Sequence, residues 1–194
     1  MRDIRFKEPI RNKKKITQMR KWLLNNSVGR QRDEMLFRFG LNTALRISDI
    51  LRIKGRDVYD EKGNVNGHIV LRDKKTGKIN KINIPPKFKE VLEEYNKVFE
   101  FEPGDYLFFS LNKENMPLER TQAWRILKKA ARACKINNFG THSMRKTKAY
   151  WLYRETHDLY LVMDLLNHSR ESVTLRYIGY SQDEKDKAHS KVFF

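Results

Sequence analysis

A chain of 194 residues has room for one well-cored domain and too little length for two large ones. Its 39% hydrophobic and 11% aromatic residues exclude a disordered polymer. Lys and Arg outnumber Asp and Glu by 41 to 24, and the resulting +17 favours polyanions, chiefly nucleic acid, through counterion release and steering; a ribosome-like or merely basic protein is the alternative on charge alone.

The opening "MRDIRFKEPIRNKKK" is basic and lacks the apolar stretch of a secretory signal, so residues 1–14 read as a basic N-terminal arm. From Lys15, the residues Ile16, Met19, Trp22 and Leu23 fall on one helical face. "NNSVG" ends that helix. A second helical stretch carries Met35, Leu36, Phe37, Phe39 and Leu41, interrupted by Gly40. "RISDILRI" predicts a short helix with Ile47, Ile50 and Leu51 inward, and "KGRDVYDEKGNVNG" a turn-rich connection.

An antiparallel pair follows, "HIVLRD" and "KINKINIP", joined across "KKTG". Ile69 and Leu71 alternate with polar residues on the first strand, and Ile79, Ile82 and Ile84 do so less regularly on the second. "PPKFKEVLEEYNKVF" is a helix opened by proline, with Phe88, Val91, Leu92 and Tyr95 in a stripe. "DYLFFS" is a candidate short strand. Further helices are expected at about 119–135, 142–155, 158–167 and 170–179. The single cysteine, Cys134, excludes an internal disulfide, suits a reducing compartment, and sits at helical spacing from Leu127, Ala130 and Ala131 as a small buried side chain. No apolar run approaches the roughly 18 residues of a membrane span. No membrane partner is therefore expected, and the expected residence is cytoplasmic, in a bacterium the nucleoid. The fold class is mainly α with a small antiparallel β-sheet.

Several basic residues can be read in two ways. Arg46 in "NTALRISDIL" is either a surface partner of Asp49 or a cation directed at a site. Lys75, at the tip of the hairpin, is an ordinary turn lysine or an ammonium delivered to a phosphate by a reaching loop. In "GTHSMRKTKAYW", His142 and Arg145 are three apart at the start of an amphipathic helix and point the same way, with Thr141 as the expected N-cap. Such a helix start suits one phosphate, although an N-capped helix with a surface histidine would look similar. His168 follows "LVMDLLN", where a histidine often caps carbonyls. No HExxH, cysteine pair or GxxxxGK[ST] occurs, and no carboxylates cluster in the sequence, so zinc, P-loop and metal-borne phosphate chemistry are disfavoured. What remains is a metal-free, cation-lined site.

Arg46, Lys75, His142, Arg145, His168 and Tyr177, in this order and at these separations, resemble the tyrosine recombinases, the phage integrase family. "ALRISDIL" is similar to the family's first arginine motif, "KKTGK" to its hairpin lysine, "THSMRKT" to its His-x-x-Arg, and "LLNHSRESVTLRYI" to its last histidine followed nine residues later by the nucleophile. The resemblance covers residues 15 to 180, which it marks as a catalytic domain. It implies site-specific cleavage and rejoining of double-stranded DNA through a 3′-phosphotyrosine, without ATP, metal or other cofactor.

On that resemblance Tyr177 is the nucleophile and Tyr180, one turn on, a packing residue or bystander. His142 takes or shares the phenol proton, Arg46 and Arg145 hold the non-bridging oxygens, and Lys75 protonates the departing 5′-oxygen. His168 positions the phosphate or orders the helix before Tyr177. The family implies a homotetramer on two duplexes, with accessory DNA-bending proteins as further partners. The expected departures from its pattern are a core-binding domain that is absent ahead of residue 15 or supplied elsewhere, Asn167 where glycine is common, and Ser143. Residues 181–194 form a tail ending in Val192-Phe193-Phe194, a segment that members often exchange between protomers; docking on its own domain is the alternative. A type IB topoisomerase and a non-catalytic DNA-binding accessory protein are the other functions considered.

Overall fold

The computed structural model describes residues 7–72, 77, 79–179 and 189–190. Its helices in chain order are α1 (Lys13–Asn26), α2 (Arg30–Thr43), α3 (Ile47–Ile50) and α4 (Gly55–Val58). The hairpin of β1 (His68–Arg72) and β2 (Ile79–Asn83) follows, then α5 (Pro86–Phe99), α6 (Arg120–Ala133), α7 (Thr141–Thr156), α8 (Leu159–Leu166) and α9 (Glu171–Ile178). The architecture is the expected one, mainly helical with one two-stranded antiparallel sheet.

The central helix is α2, which packs against α1, α3, α5, α6 and α7. Met35, Leu36, Phe37 and Phe39 on it are all buried, because neighbours surround it on most sides. Gly40 is explained by the crossing with α7: a Cβ there would stand 2.7 Å from the sulfur of buried Met144. The glycine costs about 1 kcal/mol of helix propensity and in return lets the two helices approach. Arg32 and Asp33 are buried as an ion pair at 2.7 Å, with Arg32 Nη1 also donating to the Phe109 carbonyl at 2.8 Å. Those hydrogen bonds are what make the buried charges tolerable.

Four local expectations change. The connection after α3 contains a helical turn, α4, because the Lys54 N–H donates to the Asp57 carboxylate at 2.8 Å and caps it. "DYLFFS" is not a strand. Leu107 and Phe108 are consecutive and both fully buried, and their backbone bonds go to Ile53 and Leu118 rather than to a sheet. Ile79 is 66% exposed, since the register pairs Ile82 with Ile69 on the inner face and turns Ile79, opposite Arg72, outward. Cys134 is half-buried at the C-cap of α6 rather than enclosed.

Two apolar clusters result. The large one gathers α1 through α6 and the start of α7 around Phe37, Phe39, Phe88, Leu92 and Phe108. The small one, between α7, α8 and α9, has Ala149, Val162, Leu166 and Ile178 as its buried members, with Tyr177 packed at its edge. Among the described residues, no helix is long and apolar enough to cross a membrane.

Candidate active site

The N-terminus of α7 is the floor of the site. Its N-cap is Gly140, and Thr141 is the first helical residue rather than the cap. Ser143 explains the helix start: its Oγ accepts the Gly140 N–H at 3.0 Å, while its own N–H donates to the Gly140 carbonyl at 2.8 Å. Ser143 is therefore buried and structural. His142 is exposed, and Arg145, one turn later, is buried at 5% exposure.

Arg145 is held by backbone. Nη1 donates to the carbonyl of Ala44 and Nη2 to that of Leu166 at 2.7 Å. Ala44 terminates α2 in the left-handed region (φ 54°), which costs an alanine about 1–2 kcal/mol and aims its carbonyl at the guanidinium. Leu166 ends α8. One arginine thus ties the large body to the small cluster. Its positive charge also reaches the Tyr177 hydroxyl and favours the phenolate.

Arg46 is the half-buried N-cap of α3, and its charge reaches His142, His168 and Tyr177. His168 directs Nδ1 to the Thr174 hydroxyl at 3.1 Å, and its ring meets that of Tyr177 edge-on at 5.2 Å. The histidine therefore braces α9, the helix that carries Tyr177, as well as facing the cations. Asn167 before it sits in the left-handed region (φ 51°) at the end of α8, where glycine or asparagine is favoured. Its amide donates to Asn80 on the inner face of β2, so the hairpin is fastened to the end of α8 beside His168.

Five of the six predicted residues, Arg46, His142, Arg145, His168 and Tyr177, are therefore neighbours. Lys75 and Tyr180 lie outside the described residues. Two cations that the motif reading passes over also belong to the neighbourhood. Lys146 Nζ stands 4.9 Å over the Tyr177 ring, and the charge of Arg120, the first residue of α6, reaches His142. Neither carries a distinguishing signal in a sequence this rich in Lys and Arg.

The electrostatics follow from that crowding. Loss of solvation, then the positive charges of Arg145, Arg120, Arg46 and Lys146, lower the His142 pKa and favour its neutral form. His168 is lowered by burial, then by Arg145 and Arg46. Burial raises the pKa of Tyr177, while the charges of Arg145 and Arg46 oppose the rise. The phenol is thus protonated at neutral pH, beside cations that would stabilise its anion and near a neutral imidazole able to take a proton. A cavity of about 620 Å³ lined by Phe99, Phe101, Tyr106 and Phe109 includes none of these residues. The cation cluster is open to the surface through His142, as a phosphate within a long polymer requires.

Comparison with known proteins gives one consistent answer. The family model described as "Phage integrase family" matches residues 12–184. A "Probable integrase/recombinase YoeC" of Bacillus subtilis (strain 168) is 41% identical over 186 residues, covering 96% of this chain and 96% of the relative. A "Tyrosine recombinase" of Pseudothermotoga lettingae is 29% identical over 171 residues, 88% of this chain but 57% of its own length. Among solved structures, XerH site-specific recombinase bound to palindromic difH substrate, in a post-cleavage complex, superposes with a TM-score of 0.72 at 20% identity. That match takes in 95% of this chain and 53% of the XerH chain, and at such identity it speaks for the fold. The chain thus spans nearly all of one relative and little more than half of the other two.

Proposed function

We propose, from the premise that this chain belongs to the phage integrase family, that it is a site-specific tyrosine recombinase cleaving and rejoining double-stranded DNA through a 3′-phosphotyrosyl intermediate. The observation that carries the proposal is the Tyr177 ring edge-on to His168 at 5.2 Å and under Lys146 Nζ at 4.9 Å, with the charges of Arg145 and Arg46 reaching its hydroxyl. Residues 15–180 form the catalytic unit on this reading.

A scissile phosphate would occupy the space above the start of α7. Arg46 and Arg145 present donor forks to its non-bridging oxygens, where negative charge builds as the phosphorus becomes five-coordinate. Losing one such donor typically costs about 3 kcal/mol, roughly a hundredfold in rate. Tyr177 attacks phosphorus with its phenol oxygen, and the phenol proton passes to neutral His142. The new Tyr177–phosphorus ester forms as the bond to the 5′-oxygen breaks, and Lys75 gives a proton to that oxygen. His168 holds α9 through Thr174 and keeps the phenol facing the cations.

Rejoining reverses the steps with a 5′-hydroxyl as nucleophile, and the ester preserves the free energy of the broken phosphodiester. No nucleotide is consumed. The +17 charge supplies attraction to the duplex without sequence preference. Strand exchange between partners requires two duplexes, which a homotetramer would hold, with DNA-bending proteins as accessory partners.

Incubation with a nicked suicide substrate tests the reading. It should trap a covalent protein–DNA adduct that disappears in Tyr177→Phe and persists in Tyr180→Phe. Relaxation of supercoils without exchange in a two-site assay would favour a topoisomerase. Salt-sensitive binding with no adduct would favour an accessory DNA-binding protein.

A further inference from the structure

Residues 7–12 precede α1 as a strap laid across the helices of the site. The Glu8 N–H donates to the Asn138 carbonyl at 3.2 Å, ahead of α7. The Ile10 N–H donates to the Thr147 hydroxyl at 2.8 Å, and the Trp151 indole N–H donates to the Ile10 carbonyl at 3.0 Å. The Ile10 side chain is 3% exposed and belongs to the large apolar cluster, so this part of the strap is fixed to the main body.

The next residue reaches elsewhere. Arg11 Nη2 donates to the Gly179 carbonyl at 2.8 Å, and its guanidinium lies 5.4 Å from the ring centre of Tyr150 on α7. Gly179 is the C-cap of α9, two residues beyond Tyr177, and adopts φ 72°. A Cβ there would stand 2.7 Å from Arg11 Nη2. Glycine is favoured at that position by the left-handed turn, and it also gives the arginine head an unobstructed approach.

We propose that Arg11 is a positioning residue for Tyr177: by clasping the C-terminal end of α9 to the main body, it keeps the nucleophile in register with Arg145. The proposal rests on the reading of Tyr177 as nucleophile. Its physical basis is the modest hold on the rest of α9, which His168 braces through Thr174 and which packs on α7 and α8 through the small cluster. The helix has eight residues, too few to be stable alone, and its buried apolar contacts belong to the small cluster. The Gly179 N–H serves the Leu175 and Arg176 carbonyls, and Arg11 answers the negative end of the helix dipole with its charge and a hydrogen bond to the Gly179 carbonyl. A shift of about 1 Å in a reacting atom can cost a hundredfold in rate, so a clasp this close to the phenol acts on chemistry more than on DNA affinity.

The test has two arms. In the first, hydrogen exchange of the DNA-free protein is compared for wild type, Arg11→Ala and Arg11→Lys. Amides of residues 175–179 should exchange about tenfold faster in Arg11→Ala, recover in part in Arg11→Lys, and leave α2 unchanged. Unchanged exchange at 175–179, or faster exchange throughout the chain, overturns the clasp. This arm is decided whether or not the protein cleaves DNA.

In the second arm, the single-turnover rate of adduct formation is measured against protein concentration on a nicked suicide substrate. Arg11→Ala should lower the saturating rate about tenfold while the half-saturating concentration stays within about threefold. Lys13→Ala, which removes an exposed ion pair to Glu155 on α7, should leave both within about twofold. A lowered affinity with an unchanged saturating rate, or equal losses in Arg11→Ala and Lys13→Ala, would make the strap a DNA contact and contradict the proposal. Absence of an adduct in wild type would count against the recombinase reading, leaving the exchange result to judge the clasp.

Discussion

The main body and the small cluster of α7, α8 and α9 are built to different standards. In the body, aromatic rings interlock, with Phe39 edge-on to Phe108 at 5.4 Å and to Phe88 at 5.7 Å, and Tyr95 and Phe99 likewise at 5.0 Å. Two buried carboxylates there are ion-paired, Asp33 with Arg32 and Glu34 with Arg20. The α7–α9 cluster has small aliphatic side chains at its centre and half-buried tyrosines at its rim. Yet it carries Tyr177 and His168, whereas Arg46 and the start of α7 belong to the body. On the proposed reading, the heavily packed part would present the phosphate receptor and the less heavily packed part the nucleophile. Among the described residues, the polar links that tie α8 and α9 to the body include Arg145 to Leu166, Arg11 to Gly179, and Asn167 to Asn80. A strand-exchanging enzyme must advance and withdraw its nucleophile, and polar links over a small core allow this at lower cost than an interlocked aromatic core.

The sharpest way to break this division is Arg145→Ala. It removes the phosphate donor of the proposed mechanism and leaves two buried carbonyls without their partner. Adduct formation should fall by at least a hundredfold, and stability by roughly 3 kcal/mol. Urea unfolding followed by hydrogen exchange should show protection lost first in α8 and α9. If exchange rises uniformly instead, the two regions are a single cooperative unit.

Paired core truncations sharpen the same point with smaller effects. Leu92→Ala, in the body, should cost about 2–5 kcal/mol of global stability. Val162→Ala, in the small cluster, should leave the global midpoint nearly unchanged and accelerate exchange in α8 and α9. Equal shifts of the global midpoint would remove the distinction.

The pH behaviour of His142 tests the cation crowding. Because desolvation and four cations disfavour its charged form, its NMR titration midpoint in the DNA-free protein should lie below the ordinary imidazole range. As pH falls, the neutral, proton-accepting form should persist to lower pH than in an isolated histidine. Removing one cation by Arg120→Ala should move the midpoint upward. A midpoint at or above the ordinary value would mean that the cations do not surround this ring.

Asn167→Gly has the smallest expected effect. Glycine retains the left-handed turn, so stability should change by a few tenths of a kcal/mol. The lost link to Asn80 should appear as faster exchange in β2 while α9 is unaffected. Unchanged exchange in β2 would show that the hairpin is held by its apolar face alone.

Much of this was legible in the sequence because helices with one apolar face announce themselves. The stripe of Phe88, Leu92 and Tyr95 and the spacing of His142 and Arg145 required only the period of 3.6 residues. The site motif was legible through its resemblance to the tyrosine recombinases; taken singly, Arg46, Lys75, His142 and His168 also fit solvent or capping roles. What was not legible depends on tertiary partners. Leu107 and Phe108 read as a strand because an apolar run does not reveal whether its hydrogen bonds go to a sheet or to scattered loops. Ile79 read as inward from its apolar type alone, although residues three apart on a strand face opposite sides and Ile82 takes the inner one. Thr141 read as a cap although the Gly140–Ser143 pair already closes the helix. Arg11, Arg120 and Lys146 were hidden by the abundance of basic residues, and contact alone distinguishes them.

The most direct measurement of the central claim is to digest the adduct trapped on a suicide substrate and identify by mass spectrometry the residue that bears the nucleotide. The account predicts phosphorus on the Tyr177 oxygen, with the remnant at the 3′ side of the cut and a free 5′-hydroxyl on the released strand. A nucleotide on Tyr180 or any other side chain, or a 5′-phosphate linkage, would contradict it.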